Sequence, residues 1–395
     1  MPRIRLLLLL AALTAFGPMS LDLYLPAFPE IAANFGTDTG SVQLTMSACL
    51  IGLGAGQVLW GPISDRFGRK RPLIVGLVIF IVASLLIAVA PSFLALVLLR
   101  LVQALGGSAG IVIARAIVRD MYSGVQLARA MSAIVTVFAL APVVAPLIGS
   151  GIIAVASWHW MFVFLAVFAV ICLVGVCLMP ETLPAHRRSG HNVAGALRQY
   201  RTIIANRQFR YAAAVAALGS TALYTYISLS PAVFIDSYGV SEGGFALIFA
   251  GLSLCFAFGA QLNMRLLKHQ RVITLLRSSV AVQLVASIVV LTCALVSASL
   301  PIFLVPLLIA LMTVAGVNSN GIALSLDPFP MAAASAAALV GGLQQTMGAV
   351  ASAAFSGLTL PPPVEMGLGM TVAGLLSVTL IALSLRPRCT RPGRR

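Results

Sequence analysis

Two long apolar runs are separated by the stretch Gly61-Pro62-Ile63-Ser64-Asp65-Arg66-Phe67-Gly68-Arg69-Lys70-Arg71. The run before it covers 41–62 and the run after it covers 72–90. Each is about as long as a helix that crosses a bilayer. Basic residues crowd into the short loop between the runs, as they do in the cytoplasmic loops of membrane proteins. The stretch therefore predicts a tight polar turn between two spanning helices.

The composition of the whole chain places it in a membrane. Of its 395 residues, 60% are hydrophobic and 9% are charged, whereas about 25% of the residues in an average soluble domain are charged. A chain this apolar could not keep a water-soluble surface. The net charge of +15 does not indicate nucleic-acid binding, because the bases lie in short clusters between apolar runs and not on one folded face.

The hydropathy pattern predicts an all-α transmembrane protein with twelve spanning helices in two six-helix halves. The predicted spans are 6–28, 41–62, 72–90, 93–114, 128–152, 158–179, 209–235, 243–266, 272–297, 300–324, 331–358 and 366–386. The first half is 1–180, a basic cytoplasmic linker is 181–207, the second half is 208–386, and a basic cytoplasmic tail is 387–395. The first run could also be a signal peptide, but no convincing cleavage site follows its two bases. We expect an uncleaved span.

The positions of the charges support this alternating path. Every Lys and Arg except Arg100 falls at a chain end or in a loop on one side of the predicted bilayer. The charged residues of the opposite loops are all acidic, namely Glu30, Asp38, Asp236, Glu242 and Glu365. Because basic loops stay in the cytoplasm, both chain termini are expected there.

An internal repeat supports the division into halves. The segment Gly259-Ala260-Gln261-Leu262-Asn263-Met264-Arg265 follows the eighth span, as the stretch from Gly61 to Arg71 follows the second. In both places a glycine precedes an Asp or Asn by four residues, and bases come next. Two parallel halves of six spans are a known plan of secondary transporters.

Four segments resemble one family. The stretch Gly61–Arg71 keeps the whole pattern G-x-x-x-D-R-x-G-R-[KR] of the major facilitator superfamily. Three others resemble the drug–proton antiporters with twelve spans, of the bicyclomycin and chloramphenicol resistance (Bcr/CflA) group. They are Asp22–Ala27, Arg100–Gly106 followed by Arg115–Asp120, and Pro142–Gly149. The last resembles the antiporter motif, with Ala145 where the motif usually has glycine.

The resemblance implies a multi-pass protein of the bacterial inner membrane that exchanges drugs such as phenicols or bicyclomycin for protons. It implies a gating role for the first segment and an antiporter motif in the last. The gating residues would be Gly61, Asp65, Arg66, Gly68 and Arg69, and the antiporter residues Pro142, Pro146 and Gly149. A monomer in the lipid bilayer, with no cofactor and no nucleic-acid partner, is expected, since one chain supplies both halves.

Two charges, Asp22 and Arg100, lie well inside predicted spans. A charge at the bilayer centre is costly and marks a functional site by default. At 1.5 Å per residue the two lie at similar depth in the outer half of the membrane. They could form a direct pair or share a polar cavity. We expect Asp22 to carry the proton, and the resemblance links Arg100 to proton coupling; a static ion pair is the alternative.

Other polar residues in the spans are candidates for a substrate cavity. They are Tyr24, Gln103, Tyr224, Asn318, Asn320, Gln344 and Gln345. Gln103 shares a helix face with Arg100, whereas Tyr24 lies on a different face from Asp22. Tyr226 competes with Tyr224, because only one of the two can face inward. For all of them the alternative is hydrogen bonding between helices.

Other function classes find little support in the sequence. There is no phosphate-binding G-x-x-x-x-G-K-[ST] loop and no H-E-x-x-H or G-x-S-x-G motif, so neither direct use of ATP nor an enzyme is predicted. The six cysteines lack metal-ligand spacing, and no metal is expected. A channel is disfavoured by the two-half repeat. An exporter of a metabolite or amino-acid derivative on the same scaffold remains the main alternative to a drug exporter.

Overall fold

A computed structural model describes residues 3–122, 124–184, 193–329, 332–355 and 360–384. Within these ranges the chain forms helices and turns and no β-strand. The predicted tail, 387–395, and residues 185–192 of the predicted linker lie outside the described residues. The helices are α1 (Arg3–Thr14), α2 (Phe16–Asp22), α3 (Phe28–Phe35), α4 (Thr39–Phe67), α5 (Lys70–Ile87), α6 (Phe93–Met121), α7 (Gly124–Ile153), α8 (His159–Leu178), α9 (Val193–Ala205), α10 (Arg207–Pro231), α11 (Glu242–Leu266), α12 (Val272–Leu295), α13 (Leu300–Leu326), α14 (Ala333–Phe355) and α15 (Pro362–Ser384).

The helices have the lengths that a bilayer requires. Among the described residues, ten are long and apolar enough to cross a membrane, and the bent segment from Arg5 to Phe35 makes an eleventh. The remaining predicted span is α14, whose 23 residues are also sufficient for a crossing. Its two glutamines, Gln344 and Gln345, lower its hydropathy. The predicted all-helical membrane fold is confirmed.

The first span differs from its prediction as one helix over 6–28. It runs from α1 through α2, a 3₁₀ turn at Leu25–Ala27 and α3, with a bend of 41°. The regular helix ends at Asp22. Pro26 and Pro29 lack the backbone N–H that an α-helix interior needs, so the helix cannot continue unbroken. Asp22 therefore lies at a break and not in the middle of a straight helix.

The predicted linker is not simply an irregular polar stretch. Its second part folds into α9, which packs on α10 and α14. Ile203 of α9 is buried with Phe209 and Val340 in a small apolar cluster. This helix was not predicted, because its apolar stripe is narrow and lies in a stretch rich in arginine.

The same helix pairings occur twice along the chain. In the first set, α1–α8, the packed pairs include α4–α6, α5–α6 and α5–α8. In the second set, α10–α15, the corresponding pairs are α11–α13, α12–α13 and α12–α15. The sets meet mainly through α4 on α14 and α7 on α11.

Glycines allow the closest of these contacts. A Cβ atom on Gly52 would overlap the carbonyl oxygen of Leu101, and one on Gly56 would overlap the hydroxyl of Ser108. Small residues at such spacing let helix backbones approach where no hydrophobic effect drives association. They bring α4 and α6 together, and α6 carries the buried Arg100.

Candidate functional site

Arg100 is fully buried on α6 and is held within the first set of helices. Its Nη1 donates to Oε1 of Gln103 over 2.6 Å, and its Nη2 donates to the carbonyl oxygen of Ser20 over 2.6 Å. Gln103 in turn donates to the hydroxyl of Ser84 on α5 over 2.7 Å. The shared helix face predicted for Arg100 and Gln103 is thus used for a direct hydrogen bond.

An aromatic side chain completes the surroundings of Arg100. The guanidinium carbon lies 4.2 Å from the centre of the Tyr24 ring and 5.6 Å from that of Phe162. The Tyr24 hydroxyl is 3.0 Å from the hydroxyl of Thr45 on α4. A desolvated cation over an aromatic face gains about 2 kcal/mol. Arg100 is therefore a fixed cation with partners from four helical segments.

Asp22 has no such partners. Its side chain is 2% exposed, and its Oδ1 atom has no hydrogen-bond partner. Among the described residues, ion pairs involve Arg69 alone, so Asp22 and Arg100 do not form the direct pair that the sequence analysis considered. The reason is the helix break: the carbonyl of Ser20 and the ring of Tyr24 occupy the guanidinium instead.

Asp22 lies within electrostatic reach of both sets of helices, since it acts on the Cys49 thiol of α4 as well as on α10. Its carboxylate acts electrostatically on the hydroxyls of both Tyr224 and Tyr226 on α10. Tyr226 is buried and stacks on Phe249 at 5.5 Å. The π-helical turn that follows α10, Ala232–Ser237, widens the helix near this point. Tyr224 packs instead against Gly348 of α14, so the expectation that only one of the two tyrosines faces inward stays a prediction.

Several polar atoms around Asp22 lack hydrogen-bond partners. They include the hydroxyl of Tyr226 and Oε1 of Gln345. Gln345 lies beside Tyr224, and its Cβ is 3.1 Å from where a Cβ on Gly54 of α4 would stand. Buried polar groups are normally satisfied, so this cluster can bind a proton or a polar group of a ligand.

Three other predicted cavity residues have partners within the second set. The hydroxyl of Ser220 donates to Oδ1 of Asn318 over 3.2 Å. Asn320 and Asn263 exchange two amide hydrogen bonds, of 2.9 and 3.3 Å. Nε2 of Gln344 donates to the carbonyl oxygen of Ala216 over 3.4 Å. These contacts join α10, α11, α13 and α14, and the structure does not bring them to Asp22.

The predicted gating loop is centred on Arg69, which is 5% exposed. Its Nε donates to Asp120 over 2.8 Å, and its Nη1 donates to Asp65 over 2.6 Å and to Ser64 over 2.9 Å. Burial alone would lower the pKa of Arg69, but the two carboxylates outweigh it and raise that pKa. The loop thus ties the end of α4 to the end of α6.

Three further gating residues play smaller parts in the loop. Gly68 has φ 86°, a left-handed conformation that favours glycine. Its backbone conformation therefore fits the tight turn that was predicted here. The guanidinium of Arg66 lies over the Phe67 ring. Gly61 has open space around its Cα.

Glu181, which follows α8, contacts this loop and was not predicted. Its Oε1 accepts from the backbone N–H of Arg69 over 2.8 Å, and its Oε2 accepts from that of Lys70 over 3.2 Å. A carboxylate at the start of α5 is favoured by the helix dipole. Partial burial would raise the pKa of Glu181, but four backbone N–H donors outweigh it and lower that pKa. No local signal could have found a contact across 112 positions of sequence.

The predicted antiporter motif lies against the break in the first span. Pro142 and Pro146 are inside α7, and Gly149 is buried on the same helix. A Cβ atom on Gly149 would overlap the carbonyl oxygen of Leu23, the residue that follows Asp22. Glycine at this position lets α7 press directly on the turn that carries Asp22.

Polar contacts between the two sets occur on both sides of the cluster. Near the start of α4, Thr39 donates to Asp236 over 2.8 Å, and the hydroxyls of Ser228 and Ser352 lie 2.7 Å apart beside Gln43. Near the end of α4, the Tyr200 hydroxyl of α9 donates to the carbonyl oxygen of Val58 over 3.1 Å. These contacts link α4 to the second set near its start and to α9 near its end.

Comparison with known proteins agrees with this architecture. A family model described as Major Facilitator Superfamily matches residues 8–356. An uncharacterized MFS-type transporter, YdgK of Bacillus subtilis, is 32% identical over 95% of this chain and 94% of its own length. Multidrug resistance protein D of Escherichia coli is 30% identical over 99% and 98%. The bicyclomycin resistance protein homolog of Haemophilus influenzae is 29% identical over 94% of each chain.

Solved structures show the same fold at lower identity. A D-xylose–proton symporter superposes with a TM-score of 0.76 at 15% identity, over 97% of each chain. The nucleoside transporter NupG superposes with a TM-score of 0.73 at 12% identity, over 96% of this chain and 98% of the other. At these low identities, the likeness shows a common arrangement of helices.

Proposed function

Because the chain belongs to the major facilitator superfamily, in the group of the bicyclomycin and chloramphenicol resistance proteins, we propose that this membrane transporter exports small drug-like molecules in exchange for protons. It works by alternating access between two six-helix halves, residues 1–180 and 208–386, linked by 181–207. It lies in the bacterial inner membrane with both termini in the cytoplasm. Relatives named for multidrug, bicyclomycin and chloramphenicol resistance support a drug as cargo.

The observation that carries proton coupling is the buried, unpartnered carboxylate of Asp22. A buried carboxylate without a partner is costly as an anion, so in this closed arrangement Asp22 holds a proton. Arg100 forms no ion pair with Asp22, since Gln103 and Ser20 accept from its two Nη atoms and the Tyr24 ring lies against the guanidinium. Opening of the cluster to water on one side lets Asp22 release its proton and leaves it ready to bind another.

Drug and proton would bind at one site because Asp22 lies within electrostatic reach of Tyr224 and Tyr226 in the second half. A drug that enters between Asp22 and the pair Tyr226 and Gln345 would use polar atoms that have no partner in the closed state. Its binding and protonation of Asp22 then depend on the same groups. Competition of this kind is reciprocal: the drug weakens proton binding by the factor by which the proton weakens drug binding.

Movement of the halves is transmitted to Asp22 by α7. Gly149 rests on the turn after Asp22, and α7 is also the helix of the first half that packs on α11 of the second. A shift of α7 against α11 therefore moves the backbone next to the proton site. On the cytoplasmic side, the hydrogen bonds of Arg69 with Asp65 and Asp120 hold the first half rigid while it rocks.

A single cavity carboxylate favours neutral or zwitterionic cargo. Exchange of one proton for a neutral drug moves one charge, and the membrane potential then adds about 2.3 kcal/mol per 100 mV. Chloramphenicol is the first candidate, by analogy with the relative named for resistance to it. A dication would need a second acidic group in the cluster.

The experiment is uptake of radiolabelled chloramphenicol into inverted membrane vesicles. Vesicles with the native protein should accumulate the drug when a proton gradient is imposed and lose it when the gradient is collapsed. Asp22→Asn should abolish gradient-driven accumulation, and Asp327→Asn, which changes an exposed carboxylate, should not. Equal accumulation by vesicles with and without the protein would refute drug export for this compound.

A further inference from the structure

A groove of about 260 Å³ opens between α11 and α12, with α13 as its floor. Its rim carries the apolar side chains Leu262, Val282 and Ile309, which are exposed on the outer surface of the helix bundle. The two wall helices each pack on α13, but they barely contact each other. The groove therefore faces the membrane and not the centre of the molecule.

Three polar residues of the lining are hydrogen-bonded within the protein, and one of them, Asn263, exchanges amide hydrogen bonds with Asn320 of α13. The hydroxyl of Ser278 donates to the carbonyl oxygen of Leu275, and that of Thr313 donates to the carbonyl oxygen of Ala310. Gly316 has no side chain to fill the groove, and a Cβ atom on it would overlap the hydroxyl of Ser279 on α12. The groove thus offers mainly hydrocarbon surface to an occupant.

The corresponding place in the first half is filled. There the indole of Trp60 lies between α4 and α6, donates to the carbonyl oxygen of Leu105 over 2.8 Å, and reaches Gly76 of α5. The sequence repeat aligns Trp60 with Phe258, since each precedes the repeat glycine by one position. Phe258 is 57% exposed and leaves its groove open. The two halves therefore differ at one equivalent site, which the Trp60 indole fills in the first half and which stays open in the second.

Four bases lie at one end of the groove. Arg265 ends α11, Lys268 and Arg271 lie in the turn to α12, and Arg277 is on α12. All four are exposed, and none forms an ion pair with a carboxylate in the described part of the chain. Each base near a membrane surface attracts anionic lipid by about 1 kcal/mol.

We propose that this groove binds one acyl chain of an anionic phospholipid, whose phosphate head group lies on Arg271 and Arg277. The apolar lining accounts for the chain, because a lipid tail replaces other lipid tails there without loss and gains close contact with α13. The unpaired bases account for the choice of head group. No zwitterionic lipid offers the net negative charge that these bases attract.

Native mass spectrometry of the purified full-length protein tests the proposal, with phosphatidylglycerol and phosphatidylethanolamine of identical acyl chains as probes. The native protein should retain phosphatidylglycerol in preference. Arg271→Gln with Arg277→Gln should weaken retention of phosphatidylglycerol by roughly twenty-five-fold, at about fivefold for each base. Ser278→Trp, which fills the groove as Trp60 fills its counterpart, should weaken retention of both lipids.

Arg207→Gln with Arg210→Gln is the matched control, since both arginines are exposed on α10, away from the groove. This variant should bind as the native protein does. Equal retention of both lipids by the native protein would overturn the proposal, and so would unchanged phosphatidylglycerol binding in the Arg271 and Arg277 double variant. If Ser278→Trp does not fold, as judged by thermal unfolding, the arginine variants decide alone.

Discussion

The guanidinium carbon of Arg100 lies 4.2 Å from the centre of the Tyr24 ring, so an aromatic face and not the Asp22 carboxylate neighbours the buried cation. The two intramembrane charges thereby have separate functions. Arg100 is fixed by hydrogen bonds inside the first half, and Asp22 is left to interact with the second half. A direct ion pair would have held both charges in place and made protonation of Asp22 difficult.

Substitution of Tyr24 tests the importance of the aromatic face. Tyr24→Phe keeps the ring over Arg100 and loses only the contact with Thr45, so it should lower stability by about 1 kcal/mol. Tyr24→Leu removes the ring and should cost about 2 kcal/mol more. Thermal unfolding in detergent measures both. Equal destabilisation by the two variants would mean that the hydroxyl, and not the ring, is what matters.

Gly149 provides a test of the contact between α7 and the turn after Asp22. Gly149→Ala places a Cβ against the carbonyl of Leu23, and should reduce gradient-driven drug transport at least tenfold because α7 must move away from the turn. Gly151→Ala, two residues further on α7, meets open space and is the control. Transport assays in vesicles with matched protein amounts measure the effect. Similar activity of both variants would rule out a role for close contact.

Glu181 predicts a pH dependence of stability. The pKa of Glu181 in the folded protein is below the ordinary value of 4.5. The stability that Glu181 contributes to the folded state is therefore present above pH 4.5 and is lost as the pH falls through the folded pKa. Glu181→Gln should therefore have a lower melting temperature than the native protein at pH 7. The difference should shrink when the pH is lowered to about 4 or below. A difference that does not change with pH would assign the effect to packing.

Gln345 and Asn320 should behave differently although both were predicted to line the cavity. Gln345→Ala should raise the drug concentration for half-maximal transport several-fold, since its Oε1 is free for a ligand. Asn320→Ala should leave that concentration unchanged and lower stability by about 1 kcal/mol, a usual value for a hydrogen bond between membrane helices. Vesicle transport and thermal unfolding separate the two effects. If Asn320→Ala raised the half-saturating drug concentration, Asn320 would have to line the drug-binding cavity.

The sequence was sufficient for the spans because hydropathy and span length are local properties. It also identified Asp22 and Arg100, because a charge in an apolar run is conspicuous. It could not predict their partners, since depth along a helix says nothing of its rotation or of a break such as the one after Asp22. Glu181 was missed for a related reason. Its role depends on contacts between segments far apart in the chain, which no local pattern records.

If Asp22 exchanges its proton for drug, binding of the drug must release a proton from the purified protein. Chloramphenicol is added to the protein in weakly buffered detergent solution, and a pH indicator records released protons. The native protein should release up to one proton per molecule, and Asp22→Asn, although folded, should release none. Equal proton release by Asp22→Asn and the native protein would contradict the claim.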